Sequence, residues 1–364
     1  MSILIFIIIL LVLVLVHESG HFFTAKGFGI RVDEFGFGFP PKLYGKKYGE
    51  TEYTINVLPF GGFVKIFGEN PDEENTNGPE ASRSFVNKPK WQQAIVLFAG
   101  IFSNFLLACV LFSIVFMMGS PLATDSIPAG AKEQMKGNLV ILAVSKDSPA
   151  EKAGLKQGDI VLSAQTSTEK ITDPDVEKFV SFSNKPNQNI NILFTRNGKE
   201  NSVNLVPQEN KDLGRAFIGI SPGILLSGKF GFFESIKYGF ETAALSFKDT
   251  FVAFGKLFKG GEESKQIRDS VVGPIGLIEV TGIIFKVGFG YLLSFVAVIS
   301  ISLAAVNLIP FPALDGGRLL FLLIEKIKGS KLNPKFANTA NMVGFAILII
   351  LMLLVTYHDV IKLF

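Results

Sequence analysis

The chain holds three histidines among 364 residues, and two of them stand four positions apart in His17-Glu18-Ser19-Gly20-His21. On a helix, residues i and i+4 share a face, so both imidazoles can reach one metal ion. Glu18 lies beside them, where a carboxylate can take the proton of a metal-bound water. The chemistry expected of this spacing is hydrolysis at one Zn2+ per chain. The single cysteine, Cys109, excludes a disulfide framework and any multi-cysteine metal site.

A catalytic zinc takes three protein ligands and keeps one position for water. The third histidine, His358, stands at the far end of the last apolar stretch, and the topology below puts that end on the other side of the membrane. Asp315 is the better candidate. It follows an uncharged run in Asn307-Leu308-Ile309-Pro310-Phe311-Pro312-Ala313-Leu314-Asp315-Gly316-Gly317. There the prolines break the helix and the glycines let the backbone turn, which presents the carboxylate at a depth similar to that of His21. The alternative is that Asp315 caps the apolar helix Leu319–Ile324. An accidental histidine pair at a helix end is the bland reading of the first motif. The cost of ionisable groups inside a membrane segment argues against it.

The elements that must position these groups are membrane helices. The residues are 48% hydrophobic and 18% charged, where a soluble domain is about one-quarter charged. A purely cytosolic enzyme is therefore excluded. The net charge of +3 is too small for a nucleic-acid-binding face. Four stretches carry the apolar excess: Ile3–Val16, Ala94–Gly119, Val287–Leu314 and Phe336–Tyr357. The first reaches the ~20 residues of a span only if its helix continues through the histidine motif to about Ala25. It lacks the basic leader and small-residue cleavage site of a signal peptide, so a retained helix is expected. Nine basic residues between Lys26 and Lys90, and five between Arg318 and Lys335, face only Lys362 in the tail. Both basic loops are then cytoplasmic and both termini extracytoplasmic.

The sequence predicts a polytopic α-helical membrane protein with four transmembrane helices, a membrane-associated β-hairpin and an inserted extracytoplasmic α+β domain. The first helix occupies 1–25, followed by a cytoplasmic segment over 26–92. Within that segment, alternation around Phe35-Phe37-Phe39, Tyr53-Ile55-Val57 and Phe63–Phe67 predicts a hairpin dipping toward the bilayer, about 51–67. It must be buried against protein there. The second helix spans 93–119, and 121–222 reads as short strands and turns. Pro149 opens and Gly154 closes a short helix, strands follow at Asn189–Arg196 and Ser202–Val206, and Asn197-Gly198 supplies a hairpin turn. Over 229–282, Phe233, Phe240, Ala244, Phe247, Phe251, Phe254 and Phe258 recur at helical steps with lysines between them. That is the pattern of an interfacial helix, or of one packed on the preceding module. The third helix spans 287–309, a loop and short helix cover 310–335, and the fourth helix spans 336–360. Disorder is expected at Asn70–Pro79, which is acidic and rich in Asn, Pro and Gly.

SPAEKAGLKQGDIV, at 148–161, resembles the helix-and-turn signature of a PDZ domain, and it occurs once. Together with HESGH and NLIPFPALDGGR it makes the chain similar to the site-2 protease family of intramembrane zinc metalloproteases, in its bacterial RseP-type branch. PFGGFVKIFGE is similar to that family's membrane-reentrant β-loop, and FAGIFSNFLLA at 98–108 resembles its G-P-x-x-N stretch, with Ile101 in place of the proline. AFIGISP at 216–222 and VVGPIGLIEV at 271–280 also fit.

The resemblance implies regulated intramembrane proteolysis in a bacterial inner membrane. The substrates implied are single-pass membrane proteins such as an anti-sigma factor or remnant signal peptides. His17, His21 and Asp315 would bind Zn2+, and Glu18 would act as general base and acid. Asn307, Gly61, Gly62 and Phe63 would contact substrate backbone. Asn104 would do the same or serve as a packing polar residue. The PDZ-like module would hold a peptide or substrate remnant, or restrict entry by size. A transporter, or a PDZ scaffold with an inert metal site, are the rival readings.

Overall fold

The computed structural model describes residues 1–70, 73–186, 188–196, 199–210, 215–257, 259–261, 264–265 and 272–362. Asn197-Gly198, Phe258 and Val271 lie outside them. The chain divides into two compact units. Met1–Val110, Ala243–Glu279 and Val296–Phe364 form one; Leu111–Thr242 and Val280–Phe295 form the other.

Four helices are long and apolar enough to cross a membrane. The first, α1, runs Ser2–Gly27 and carries the HESGH motif inside it rather than at its end. The strands β1 (Val32–Tyr48) and β2 (Thr51–Ile66) follow, then a short helix α2 (Glu73–Asn77). This helix stands inside the stretch 70–79 where the sequence predicts disorder, of which residues 71–72 lie outside the described residues. The Asn75 side chain donates to the Asn70 carbonyl at 2.9 Å, a local bond that its composition does not advertise. The second apolar helix, α3, is Lys90–Met118.

β1 and β2 pair antiparallel and, being long, fold over on one another. The stretch 42–48 pairs with 51–56, and 32–37 pairs with 62–66. Residues 34–37 also pair with 52–55, residue numbers rising together. That makes 34–37 an inner strand and leaves 62–66 on the outer edge. Buried polar groups fix the inner strand: Thr51 Oγ1 donates to the Val32 carbonyl at 2.8 Å and Asn56 Nδ2 to the Gly38 carbonyl at 3.1 Å. Phe22, Ala25, Val32, Val64, Ile66, Val96 and Leu97 share one buried cluster, which ties α1, the hairpin and α3 together.

The second unit contains α4 (Ala129–Lys132), α5 (Pro149–Lys152) and α6 (Val176–Ser183). Its strands are β3 (Lys136–Val144), β4 (Ile160–Gln165), β5 (Lys170–Thr172), β6 (Ile190–Arg196), β7 (Lys199–Leu205), β8 (Gln208–Asn210), β9 (Arg215–Phe217) and β10 (Ile220–Ser227). Their order is β10-β3-β4-β6-β7, with β5 on β4 and a separate β8–β9 pair. Alternation puts Ile190, Ile192 and Phe194 of β6 inward beside Leu139, Ile141, Val161 and Phe179. Ser148 caps α5 by accepting from the Glu151 amide, and Gly154 after it takes φ +87°. This is the short helix and glycine stop expected from the sequence.

The helix α7 (Phe232–Leu257) follows. Phe233 and Phe240 on it are exposed, whereas Phe247 packs edge-on against Phe105 at 5.8 Å. The aromatic series therefore does not form one uniform face. The expected third span is preceded by a separate helix, α8 (Pro274–Val287). It stops at Gly288, whose φ is +147°, and α9 (Phe289–Leu308) begins directly after it. Composition could not mark that break, because both sides are apolar. Last come α10 (Asp315–Lys328) and α11 (Pro334–Lys362). Only 6% of the α11 span is buried, against 56% for α9, so α11 touches its unit at few points. One of these is Asp359, which accepts hydrogen bonds from the Gly273 and Gly276 amides at 3.0 and 2.9 Å and so caps α8.

Candidate metal centre

The helical period of α1 sets His17 and His21 on one face, with ring centroids 4.8 Å apart and edge to face. The orientation of His21 is fixed from α3. Its Nδ1 lies 2.8 Å from the Val96 carbonyl, which can only accept, so the proton sits on Nδ1 and Nε2 carries a lone pair. That lone pair meets His17 Nε2 at 3.2 Å and Asp315 Oδ2 at 3.3 Å. His17 Nε2 lies 3.1 Å from the same oxygen. Asp315 Oδ2 is buried without a hydrogen-bond partner.

Three electron-rich atoms thus converge with no donor to satisfy them, and burying them so is costly unless a cation lies among them. Tetrahedral zinc with ligands at 2.0–2.1 Å would space those ligands about 3.3–3.4 Å apart. The donor set and its spacing fit zinc. Among the described residues, this is the cluster able to hold a metal ion.

Asp315 arrives by a sharp turn. α9 ends at Leu308, Pro310 and Pro312 prevent its continuation, and α10 begins at Asp315 itself. Leu314 occupies the cap position without a side-chain cap bond, so the carboxylate turns to the histidines instead of capping α10. Behind the imidazoles, α3 presents Gly100. A Cβ there would lie 2.3 Å from His21 Nε2 and 2.9 Å from His17 Cε1. The two rings rest directly on the α3 backbone, which no other residue permits.

Asn104, one turn further along α3, is 1% exposed. Its amide nitrogen lies 3.4 Å from His17 Nδ1, and its Oδ1 is buried and unpaired. A half-turn of the carboxamide puts Oδ1 on the imidazole N–H and satisfies both groups. The structure therefore places Asn104 beside His17 and outside the residues that line the cavity, which fits the packing role also expected for it.

In front of the cluster is a cavity of about 230 Å3 lined by Glu18, Phe63, Val64, Ile66, Glu69 and Arg318 together with the three clustered residues. The Val64 backbone lies beside the Glu18 carboxylate on the cavity wall. Gly62 lets the strand come this close, since a Cβ there would meet the Gly36 carbonyl oxygen at 2.9 Å and Val14 Cγ1 at 3.2 Å. Gly61, with φ +102°, starts the outer strand against the Phe39 ring. Asn307 is half-buried in the last turn of α9. His358 is exposed on α11 and takes no part in the cluster.

Sequence reasoning missed the roles of Gly100, of the Val64 backbone and of Arg318, which pairs with Glu69. Only Arg318 had a local signal: it stands three positions after Asp315, on the same side of α10.

The family model for peptidase family M50 matches residues 5–351. The zinc metalloprotease RasP of Geobacillus kaustophilus is 30% identical, covering 100% of this chain and 98% of its own length. RasP of Oceanobacillus iheyensis is 27% identical over 99% and 98% of the two chains. A relative in Clostridium acetobutylicum, whose name also carries zinc metalloprotease, is 36% identical over 96% and 94%. The chain belongs to peptidase family M50, the site-2 protease family, and is a zinc metalloprotease.

Proposed function

We propose that this member of peptidase family M50 cleaves within the membrane, hydrolysing a peptide bond in or beside the transmembrane segment of a single-pass membrane substrate. The observation that carries this is the place of the cluster on the chain. His17, Glu18 and His21 belong to a helix long and apolar enough to cross a membrane, and Asp315 meets them just after a second such helix.

His17, His21 and Asp315 hold the zinc, and Asn104 orients His17 from behind. Bound zinc supplies Lewis acidity, polarising the scissile carbonyl and acidifying water. Glu18 takes the proton of the attacking water and delivers it to the leaving amine. The Val64 backbone keeps the Glu18 carboxylate aimed into the cavity. A helical substrate hides its peptide bonds and must unwind. The outer edge at 62–66 offers backbone groups on which an unwound segment can pair. Gly61, Gly62, Phe63 and Asn307 then line the substrate backbone.

The module of β3–β10 acts as a PDZ-like domain. A groove between α6 and β10 is lined by Phe179, Val180 and Ser183 on one side and Phe217–Pro222 on the other. β10 is an edge strand, which suits capture of an extended peptide end by strand addition. Such a groove selects remnants already shortened by an earlier cut, such as a trimmed anti-sigma factor or a remnant signal peptide. The proposed location is a bacterial cytoplasmic membrane, and the distribution of basic residues supports an orientation with the PDZ-like domain and termini outside and the zinc toward the cytoplasm.

The test is Glu18→Gln assayed on a membrane-inserted reporter. Cleavage should fall about a hundred- to ten-thousand-fold while zinc stays bound. Cleavage at the wild-type rate would overturn the mechanism.

A further inference from the structure

We propose that Asn341 on α11 is a positioning residue for Asp315, holding the turn before it in a conformation that it would not otherwise keep. The proposal rests on the reading of Asp315 as a zinc ligand. Ala313 has φ +77°, in the left-handed region that is disfavoured about 5- to 30-fold for a residue with a Cβ. The other positive-φ non-glycine residues among those described, Asp147 and Asp173, are of a type that tolerates this region. Alanine is not, so something outside the turn must hold it.

The Ala313 amide donates to Asn341 Oδ1 at 3.1 Å. One turn further along α11, a Cβ on Gly344 would lie 2.5 Å from the Pro312 carbonyl oxygen, so α11 seats its bare backbone on the same turn. On the other side Gly316 and Gly317 are pressed against the Leu308, Ile309 and Phe311 carbonyls. Should Ala313 relax to negative φ, the strain passes to the Leu314–Asp315 peptide and swings the carboxylate. A metal site tolerates displacements of only about 0.2 Å. Since α11 is otherwise scarcely buried, this contact gives it a specific task.

The experiment measures zinc affinity of the full-length chain in detergent by competition with a chelating dye. It compares the wild type with Asn341→Ala, Ala313→Gly, the double variant and Asp315→Ala. Asn341→Ala should bind zinc about tenfold more weakly, within the range set by the left-handed bias, and its Ala313 amide should exchange hydrogen faster. Ala313→Gly in the same chain should restore affinity to within about threefold of wild type, because glycine takes positive φ without a holder. Loss of α11 packing in general would not be rescued this way. Unchanged affinity in Asn341→Ala, or failure of glycine to rescue it, overturns the proposal if Asp315→Ala still abolishes tight binding. Unchanged affinity in Asp315→Ala would instead refute the ligand assignment beneath it.

Discussion

Replacing Gly100 by alanine sets two effects against each other. In a helix interior the change is favourable by about 0.8–1.0 kcal/mol. Here the new methyl would lie 2.3 Å from His21 Nε2, 2.6 Å from His21 Cε1 and 2.9 Å from His17 Cε1, where ordinary contact starts at 3.4 Å. Something must yield by about 1 Å. The helices cannot easily part, because α1 and α3 already touch backbone to backbone: a Cβ on Gly20 would sit 2.3 Å from the Ala99 carbonyl oxygen. The imidazoles therefore move, well beyond the ~0.2 Å that ligand geometry tolerates. Changes that merely disturb a ligand's supporting partner weaken a site about 10- to 100-fold. Displacing the two proposed ligands should reach at least the upper figure, or about 2.7 kcal/mol. Overpacking costs about 1–3 kcal/mol, which cancels the helix gain or exceeds it by up to about 2 kcal/mol. The expected signature is a thermal midpoint at or modestly below wild type with zinc affinity down at least about a hundredfold, read by chelator competition and by cleavage of a membrane reporter. Zinc binding within threefold of wild type would refute the argument that the rings rest on that backbone.

Gly62→Val should push the outer strand away from α1 and lower cleavage about a hundredfold, the usual cost of an ångström of misalignment. Zinc affinity should stay unchanged, and a parallel loss of zinc would show that the strand supports the metal rather than the substrate. Arg196→Met should leave the fully buried Asp159 without its charged partner, whose Nε and Nη2 donate at 2.6 and 2.7 Å, and with only the Lys156 amide at 2.8 Å. Because Arg196 is itself partly exposed, a loss of about 2–3 kcal/mol is expected, somewhat below that for a fully buried pair; faster hydrogen exchange across β3–β7 measures it. Lys26 and then Arg83 hold the Glu50 carboxyl below its usual range. A depressed carboxyl contributes stability above its unfolded pKa and loses it as pH falls through the folded value. Glu50→Gln should thus flatten the acid-side fall in thermal stability below about pH 4, by less than about 1 kcal/mol because all three groups are about a third exposed.

What was legible in the sequence was local. The i, i+4 rule placed His17 and His21 on one face, and the Pro310-Pro312 break placed Asp315 at the mouth of a turn. Four apolar stretches became four helices because backbone in lipid has few other options. The residues that escaped notice act across the fold. Gly100 looks like any glycine of an apolar helix until α1 is laid against it. Val64 contributes its backbone, which side-chain patterns do not mark. The pairing of 34–37 on both sides depends on two long strands folding over, and alternation alone reads them as one simple hairpin. From the sequence, Asn104 stays between substrate contact and packing because spacing gives a residue's turn on the helix, not that His17 is its neighbour there.

His21 and Asp315 are separated by roughly 300 residues of chain. A ribosome adding about 5–20 residues per second needs about 15–60 s to pass from one to the other. Throughout that interval the first helix carries two imidazoles and the Glu18 carboxylate, but not the Asp315 carboxylate that completes the cluster. Translation order thus separates the synthesis of the two halves of the cluster, which cannot come together before α9 and the turn after it have been made.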